Sequence, residues 1–203
     1  MAEQASPGGL HPLPVGNISP HSMGLLGFWG LVATEAALFG ALLFAYFYSA
    51  FGAGRAWPPE GLPTLALSGP NTAILAASSI TLWLGERAMK RRGSRRGLAL
   101  GTAASLALGI LFLAIQIKEW ADKGYGIDDH AYAAHFYTIT GFHVAHVVFG
   151  LILLAAMLIW TLRNYFSKAR HEPVVMVSLY WHFVDVVWLF VFASLYLSPY
   201  LLR

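Results

Sequence analysis

The amino-acid sequence predicts an all-α integral membrane bundle of five transmembrane helices, with its N-terminus inside and its C-terminus outside. Three observations carry this reading. Apolar residues make up 57% of the chain and charged residues only 11%, against roughly 25% charged in soluble domains. The charges gather between long apolar runs, as expected where only helices or closed barrels satisfy the backbone inside a bilayer. The basic residues form two clusters, after the second and fourth runs, and the preference of Lys and Arg for the cytoplasmic side places both inside.

Residues 1–22, with Pro7, Pro12, Pro14 and Pro20, read as a flexible N-terminal arm. They lack a basic start followed by an apolar core, so no cleaved signal peptide is expected. The five-helix domain covers residues 23–203. Span one, about 23–51, is apolar except for Glu35 near its middle. The segment from Gly52 to Gly69 holds Pro58, Pro59, Gly61 and Pro63 and reads as a loop. Span two, about 70–89, is expected to open at Pro70, a residue suited to the first turn of a helix. Its Ala73, Ala76, Ala77, Ser78 and Ser79 offer a small-residue surface for close helix contact.

The first basic cluster follows: Arg87, Lys90, Arg91, Arg92, Arg95 and Arg96. Span three, about 97–117, exits at Gln116 and Glu119. Span four, about 131–162, is long enough that at ~1.5 Å per residue it tilts or projects beyond a ~30 Å core. Arg163, Lys168 and Arg170 make the second basic loop, and Pro173 opens span five, about 174–202.

Composition also excludes functions. There is no cysteine, hence no disulfide or thiolate metal site. The net charge of +3 sits in loops between spans rather than on a basic stripe of a soluble domain, so nucleic acid is not an expected partner. No inverted repeat of the transporter kind is evident, and no compact metal motif such as HExxH occurs.

The informative residues are ionisable groups inside the spans. An ionisable side chain in hydrocarbon costs at least ~2.5–3.5 kcal/mol on insertion scales, so such groups face protein or trapped water. His182 and Asp185 are three residues apart and share one helix face. Glu35, His182 and Asp185 all fall within roughly 12–18 Å of the inner boundary at ~1.5 Å per residue. His143 and His146 approach the same depth from the other direction. The depths therefore predict one intramembrane polar layer of Glu35, His143, His146, His182 and Asp185. A carboxylate beside an imidazole lowers the cost for both.

Three classes of function compete for that layer. It can hold an accessory bundle together and influence nearby protons. It can supply two axial imidazoles to a b-type haem, making the chain a membrane anchor of a respiratory complex. His143 and His146 are too close on one helix to reach opposite haem faces, so His182 would have to pair with one of them. Or it can form a transport path for protons or a small ion, which would call for broken helices and repeats.

Five patches, the first two each of two parts, occur in an order that is specific as a set. They are Thr34-Glu35-Ala36, the aromatic run Phe44-Ala45-Tyr46-Phe47-Tyr48, Pro70-Asn71-Thr72, and Ser78-Ser79-Ile80-Thr81. Gln116, Glu119 and Trp120 follow, then Thr140-Gly141-Phe142-His143-Val144-Ala145-His146-Val147, and last Tyr180 through Phe190. In these patches the chain resembles subunit III of the haem-copper terminal oxidases, the cytochrome c oxidase subunit 3 family, in its short five-helix bacterial form. Many members have seven helices, with an N-terminal pair splayed away to leave a lipid-filled cleft. This chain begins at what corresponds to the third family helix, so that cleft does not carry over whole.

The resemblance implies a multi-pass protein of the bacterial cytoplasmic membrane. The complex would reduce dioxygen to water and pump protons, with haems and copper in partner subunits and no cofactor, metal or catalytic residue in this chain. Its partners would be oxidase subunits I and II, further small subunits or a supercomplex, and membrane lipids, with room for a bound phospholipid. Contact with subunit I is expected chiefly through spans one and two. Glu35 matches the family's buried carboxylate and is expected to hydrogen-bond a neighbouring helix and to modulate proton uptake. The choice between cytochrome c and quinol as electron donor lies in another subunit.

Overall fold

The computed structural model describes residues 20–54, 57–59, 61–167 and 171–201, with side chains from residue 26 onward in the first helix. Most of the expected arm lies outside these residues. Five helices are long and apolar enough to cross a membrane. They are α1 (Pro20–Ala53), α2 (Leu65–Arg92), α3 (Arg95–Ala121), α4 (Ala131–Leu162) and α5 (Glu172–Phe192). A π turn at Ala193–Leu197 and a short α6 (Ser198–Leu201) continue α5 to the end of the described chain.

Two helix limits differ from the sequence reading. Pro70 does not open the second helix. That helix starts at Leu65, after Thr64, and carries Pro70 inside. A proline in an early turn removes one backbone donor, a loss the remaining ladder tolerates. The third helix also runs past its expected end, to Ala121. Its last turn holds Glu119, whose carboxylate is met within the bundle by Lys123, Tyr196 and Gln116.

Local chemistry sets the turn between α2 and α3. Gly93 takes a left-handed conformation (φ 64°) and its amide bonds the Met89 carbonyl at 2.9 Å, the glycine-terminated helix end. Ser94 then caps α3, its hydroxyl accepting the Gly97 amide at 3.1 Å. The two helices lie almost backbone to backbone. A Cβ placed on Gly101 would sit 2.6 Å from the Thr81 carbonyl oxygen and 2.7 Å from Gly85 Cα. Small residues permit this approach, which lipid, being as apolar as leucine, does not otherwise drive.

Helices α2 to α5 pack around a shared interior, and α1 lies on α4 and α5. In the most apolar stretch of α5, 44% of residues are buried, against 6% in α1, which puts α5 at the centre and α1 at the rim. Trp181 of α5 is the hub. Its ring lies where a Cβ on Gly109 of α3 or Gly150 of α4 would be, and its Nε1 donates to the Ser78 hydroxyl of α2 at 3.0 Å. Two turns on, Trp188 Nε1 donates to Thr72 Oγ1 of α2 at 3.0 Å, with its ring edge-on to Phe112 at 4.9 Å.

The basic ends of α2, α3 and α4 lie together. Arg95 joins them by donating to the Phe166 carbonyl (2.9 Å) and Asn164 Oδ1 (3.0 Å). Leu26, Phe44, Tyr48, Leu100, Ile152, Phe190 and many other large apolar side chains point outward. An apolar surface of that extent suits a protein solvated by lipid.

Candidate functional site

Helix α1 presents a narrow seam to the bundle through Phe28, Glu35, Phe39, Leu42, Tyr46 and Ala50. Their spacing of mostly three and four residues keeps them on one helix face. Glu35 occupies this seam, and its Oε2 lies 2.9 Å from Nε2 of His146 on α4. The other ring nitrogen, Nδ1, is 2.7 Å from the Phe142 carbonyl one turn back. A carbonyl oxygen only accepts hydrogen bonds, so Nδ1 carries a proton.

The Glu35–His146 contact then holds one proton. Either the carboxyl donates to a neutral imidazole, or an imidazolium donates to the carboxylate. Both arrangements have zero net charge, which relieves the cost of ionisable groups at membrane depth. They differ by the movement of one proton along a single hydrogen bond.

The pair is partly accessible from the side of the bundle. Glu35 and His146 keep 25% and 16% of their side-chain surface exposed. They line a cleft of about 270 Å³ together with Leu31, Ala145, Phe149 and Tyr180. The Tyr180 hydroxyl donates to the His146 carbonyl at 3.4 Å, and its ring stands edge-on to Phe149 at 5.4 Å.

The other members of the expected layer lie apart from this pair. His143, three residues before His146, is fully buried among the rings of Trp188 (4.8 Å), Phe112 (6.0 Å) and Phe39 (6.4 Å). Among the described residues, its ring nitrogens have no hydrogen-bond partner. His182 and Asp185 face α2: Asp185 lies beside Ser79, and His182 is within electrostatic range of Glu86 and Asp185. Glu86 is buried and paired with Lys90. The five residues are thus one contacting pair, one caged histidine and one two-residue group on a different interface, rather than a connected layer.

A second charged centre, at the end of the bundle opposite the basic loops, was legible only as a helix exit. Glu119 is 5% exposed. Its Oε2 accepts from the Tyr196 hydroxyl (3.0 Å) and Gln116 Nε2 (3.4 Å), and its Oε1 pairs with Lys123 at 3.4 Å. Lys123 also sits over the Phe136 ring at 4.8 Å. Tyr196 comes from the π turn, a feature that re-aims side chains and recurs at functional sites.

Among the described residues, no three His, Asp or Glu side chains come together as metal ligands. The haem-anchor reading fits the geometry poorly. His146 uses both ring nitrogens within the bundle, His143 is enclosed by aromatic rings, and His182 faces α2.

A family profile described as "Cytochrome c oxidase subunit III" matches residues 15–200. The chain belongs to the cytochrome c oxidase subunit III family. It is 39% identical over 170 residues to a cytochrome c oxidase subunit 3 of Synechocystis, covering 82% of this chain and 72% of that protein. It is 36% identical over 181 residues to one of Thermostichus vulcanus, covering 85% and 86%. A subunit 3 of Sus scrofa is 34% identical over 173 residues, covering 81% and 66%. Membership makes this a membrane protein of the respiratory chain that associates with other oxidase subunits.

Proposed function

We propose that the chain is the accessory third subunit of a proton-pumping haem-copper oxidase of the bacterial cytoplasmic membrane, with no redox centre of its own. On this reading the haems and copper belong to the partner subunits. The chain stabilises the catalytic subunit and supports its proton uptake. Its N-terminus lies inside and its C-terminus outside, which keeps both basic clusters on the cytoplasmic side. The contact with the catalytic subunit runs chiefly through α1 and α2; the outward face of α1 carries Phe44, Tyr48 and Phe51, each at least 70% exposed.

The observation that carries the proposal is the Glu35–His146 pair. It is net neutral, holds one transferable proton, and borders a cleft on the side of the bundle. Within the pair the proton moves between carboxyl and imidazole with no change in net charge, and passing it to another group would leave one negative charge on the pair. On this reading its role is modulatory.

The test is Glu35→Gln in the assembled complex. Glutamine preserves the shape, and its amide donates to His146 Nε2, so assembly survives. Oxygen reduction persists, with small changes in protons pumped per electron or in lifetime during turnover. Abolished oxygen reduction in a fully assembled Glu35→Gln complex would make the residue catalytic and end the accessory reading.

A further inference from the structure

A row of polar side chains runs inside the bundle, along the seam where α2 packs on α5. Thr72, Ser79 and Glu86 recur every seven residues on α2, and Ser178, His182 and Asp185 are four and three apart on α5. Each set therefore keeps to one face of its helix. The helices run antiparallel, since α2 ends in the first basic cluster and α5 begins just after the second. Thr72 meets Trp188, Ser79 lies beside Asp185, and Glu86 is within electrostatic range of His182. From the basic end inward the order is Glu86, Ser178, His182, and then Ser79 with Asp185.

Hydrogen bonding along the row is uneven. At the basic end, exposed Lys90 pairs with Glu86. At the far end the seam is closed: Trp188 Nε1 donates to Thr72 Oγ1 at 3.0 Å, and that hydroxyl donates to the Ser68 carbonyl at 2.8 Å. Between these ends, Ser79 Oγ, Ser178 Oγ and Asp185 Oδ1 are shielded from solvent and, among the described residues, have no hydrogen-bond partner. The two serines are 8% and 1% exposed. Buried polar atoms left so are costly, and ordered water commonly satisfies them. Among the described residues, no Lys or Arg pairs with Asp185. The groups facing it are Ser79 and Glu86 from α2 and His182 from its own helix. Glu35 and His146 hold each other, and His143 sits in its aromatic cage.

We propose that this seam is a proton-binding half-path, in which water held by the Ser178 and Ser79 hydroxyls links the basic end of the bundle to Asp185, whose carboxyl takes up and releases one proton. On uptake, one O–H bond forms on the carboxylate and one breaks on the adjoining water, which regains its proton from the basic side. Hydroxyl, imidazole and water can each accept and donate, and rows of ionisable groups at membrane depth mark proton routes. The Trp188–Thr72 bond closes the far end, so the proton leaves by the way it came. The seam stores a proton and does not carry it across. A carboxyl kept only to fix helix rotation would need no such row of unpartnered hydroxyls. The store adds to the proton-uptake role proposed above but needs only the fold, so its test reads this chain and not oxidase turnover.

The experiment is infrared spectroscopy of the purified full-length chain in lipid nanodiscs, isotope-labelled at its aspartate carboxyl carbons. Of the four aspartates, Asp122, Asp128 and Asp129 are exposed between α3 and α4. A label-sensitive band of a protonated carboxyl at neutral pH therefore belongs to Asp185, and Asp185→Asn should remove it. The expected result is one such band, lost reversibly as the pH is raised and shifting promptly in deuterium oxide. Ser79→Ala/Ser178→Ala removes both hydroxyls with little change in volume. It should slow the deuterium shift roughly tenfold, the factor for about one lost hydrogen bond. Thr72→Val, on the far side of Asp185, should leave the rate unchanged. Absence of the band in the labelled wild-type chain would overturn the proposal. So would a deuterium shift as slow as the most protected backbone amides, or the same rate in the double serine variant as in wild type. Equal slowing by Thr72→Val would place the entrance at the wrong end and overturn it too.

Discussion

Adding one methyl group at Gly150 tests whether Trp181 is the hub of the bundle. A Cβ at this position would lie 2.7 Å from Trp181 Cε3 and 2.8 Å from Cζ3. Carbon atoms in good contact are ~3.5–4.0 Å apart, so the ring must retreat by roughly 1 Å. It has nowhere to go. On its other edge, a Cβ on Gly109 would meet Cη2 at 2.8 Å, and Nε1 is held by Ser78 at 3.0 Å.

Overpacking of this kind costs about 1–3 kcal/mol, which makes Gly150→Ala roughly 5- to 150-fold less stable. The assay is reversible unfolding in mixed micelles, or steric trapping in bicelles. Gly141→Ala on the same helix is the control, because a Cβ there has nothing within 4 Å, and it should be neutral or slightly stabilising. Gly109→Ala should behave like Gly150→Ala, and the double variant should depart from additivity by more than ~0.5 kcal/mol, since both methyl groups press on one ring. Gly150→Ala as stable as Gly141→Ala would refute the placement of Trp181.

Two further expectations concern the polar contacts. Thr72→Val keeps the volume but removes the acceptor of Trp188 Nε1; it should destabilise by ~0.6–1.7 kcal/mol, the range for interhelical hydrogen bonds in membranes, and Thr72→Ser should restore most of the loss. Glu119→Gln leaves Lys123, only 14% exposed, without its counter-charge; breaking a buried pair costs ~3–5 kcal/mol, and Glu119→Gln/Lys123→Met should recover much of it in the same unfolding assay.

The number of helices, their approximate positions and the family were legible in the sequence because each rests on local information. A bilayer demands long apolar runs with internal hydrogen bonding, and motifs such as Gly141-Phe142-His143 are read without knowing where they pack. The exact helix ends were less legible. Pro70 is permissive of a helix start but does not require one, and the partners of Glu119, Tyr196 and Lys123, come from distant or later chain.

Counting residues gave an expected depth in the membrane for each group, and Glu35 and His146 lie 2.9 Å apart in the structure. Rotation about each helix axis did not follow. His143 and His146 are three residues apart, roughly 60° around a helix. That angle turns one into an aromatic cage and the other onto Glu35. Likewise, nothing along the chain says that His182 and Asp185 face α2, or that Trp181 fills the space left by Gly109 and Gly150. Composition and periodicity describe each helix by itself. Which faces meet is decided by packing among helices remote in sequence, where small residues, aromatic rings and hydrogen bonds select one rotation.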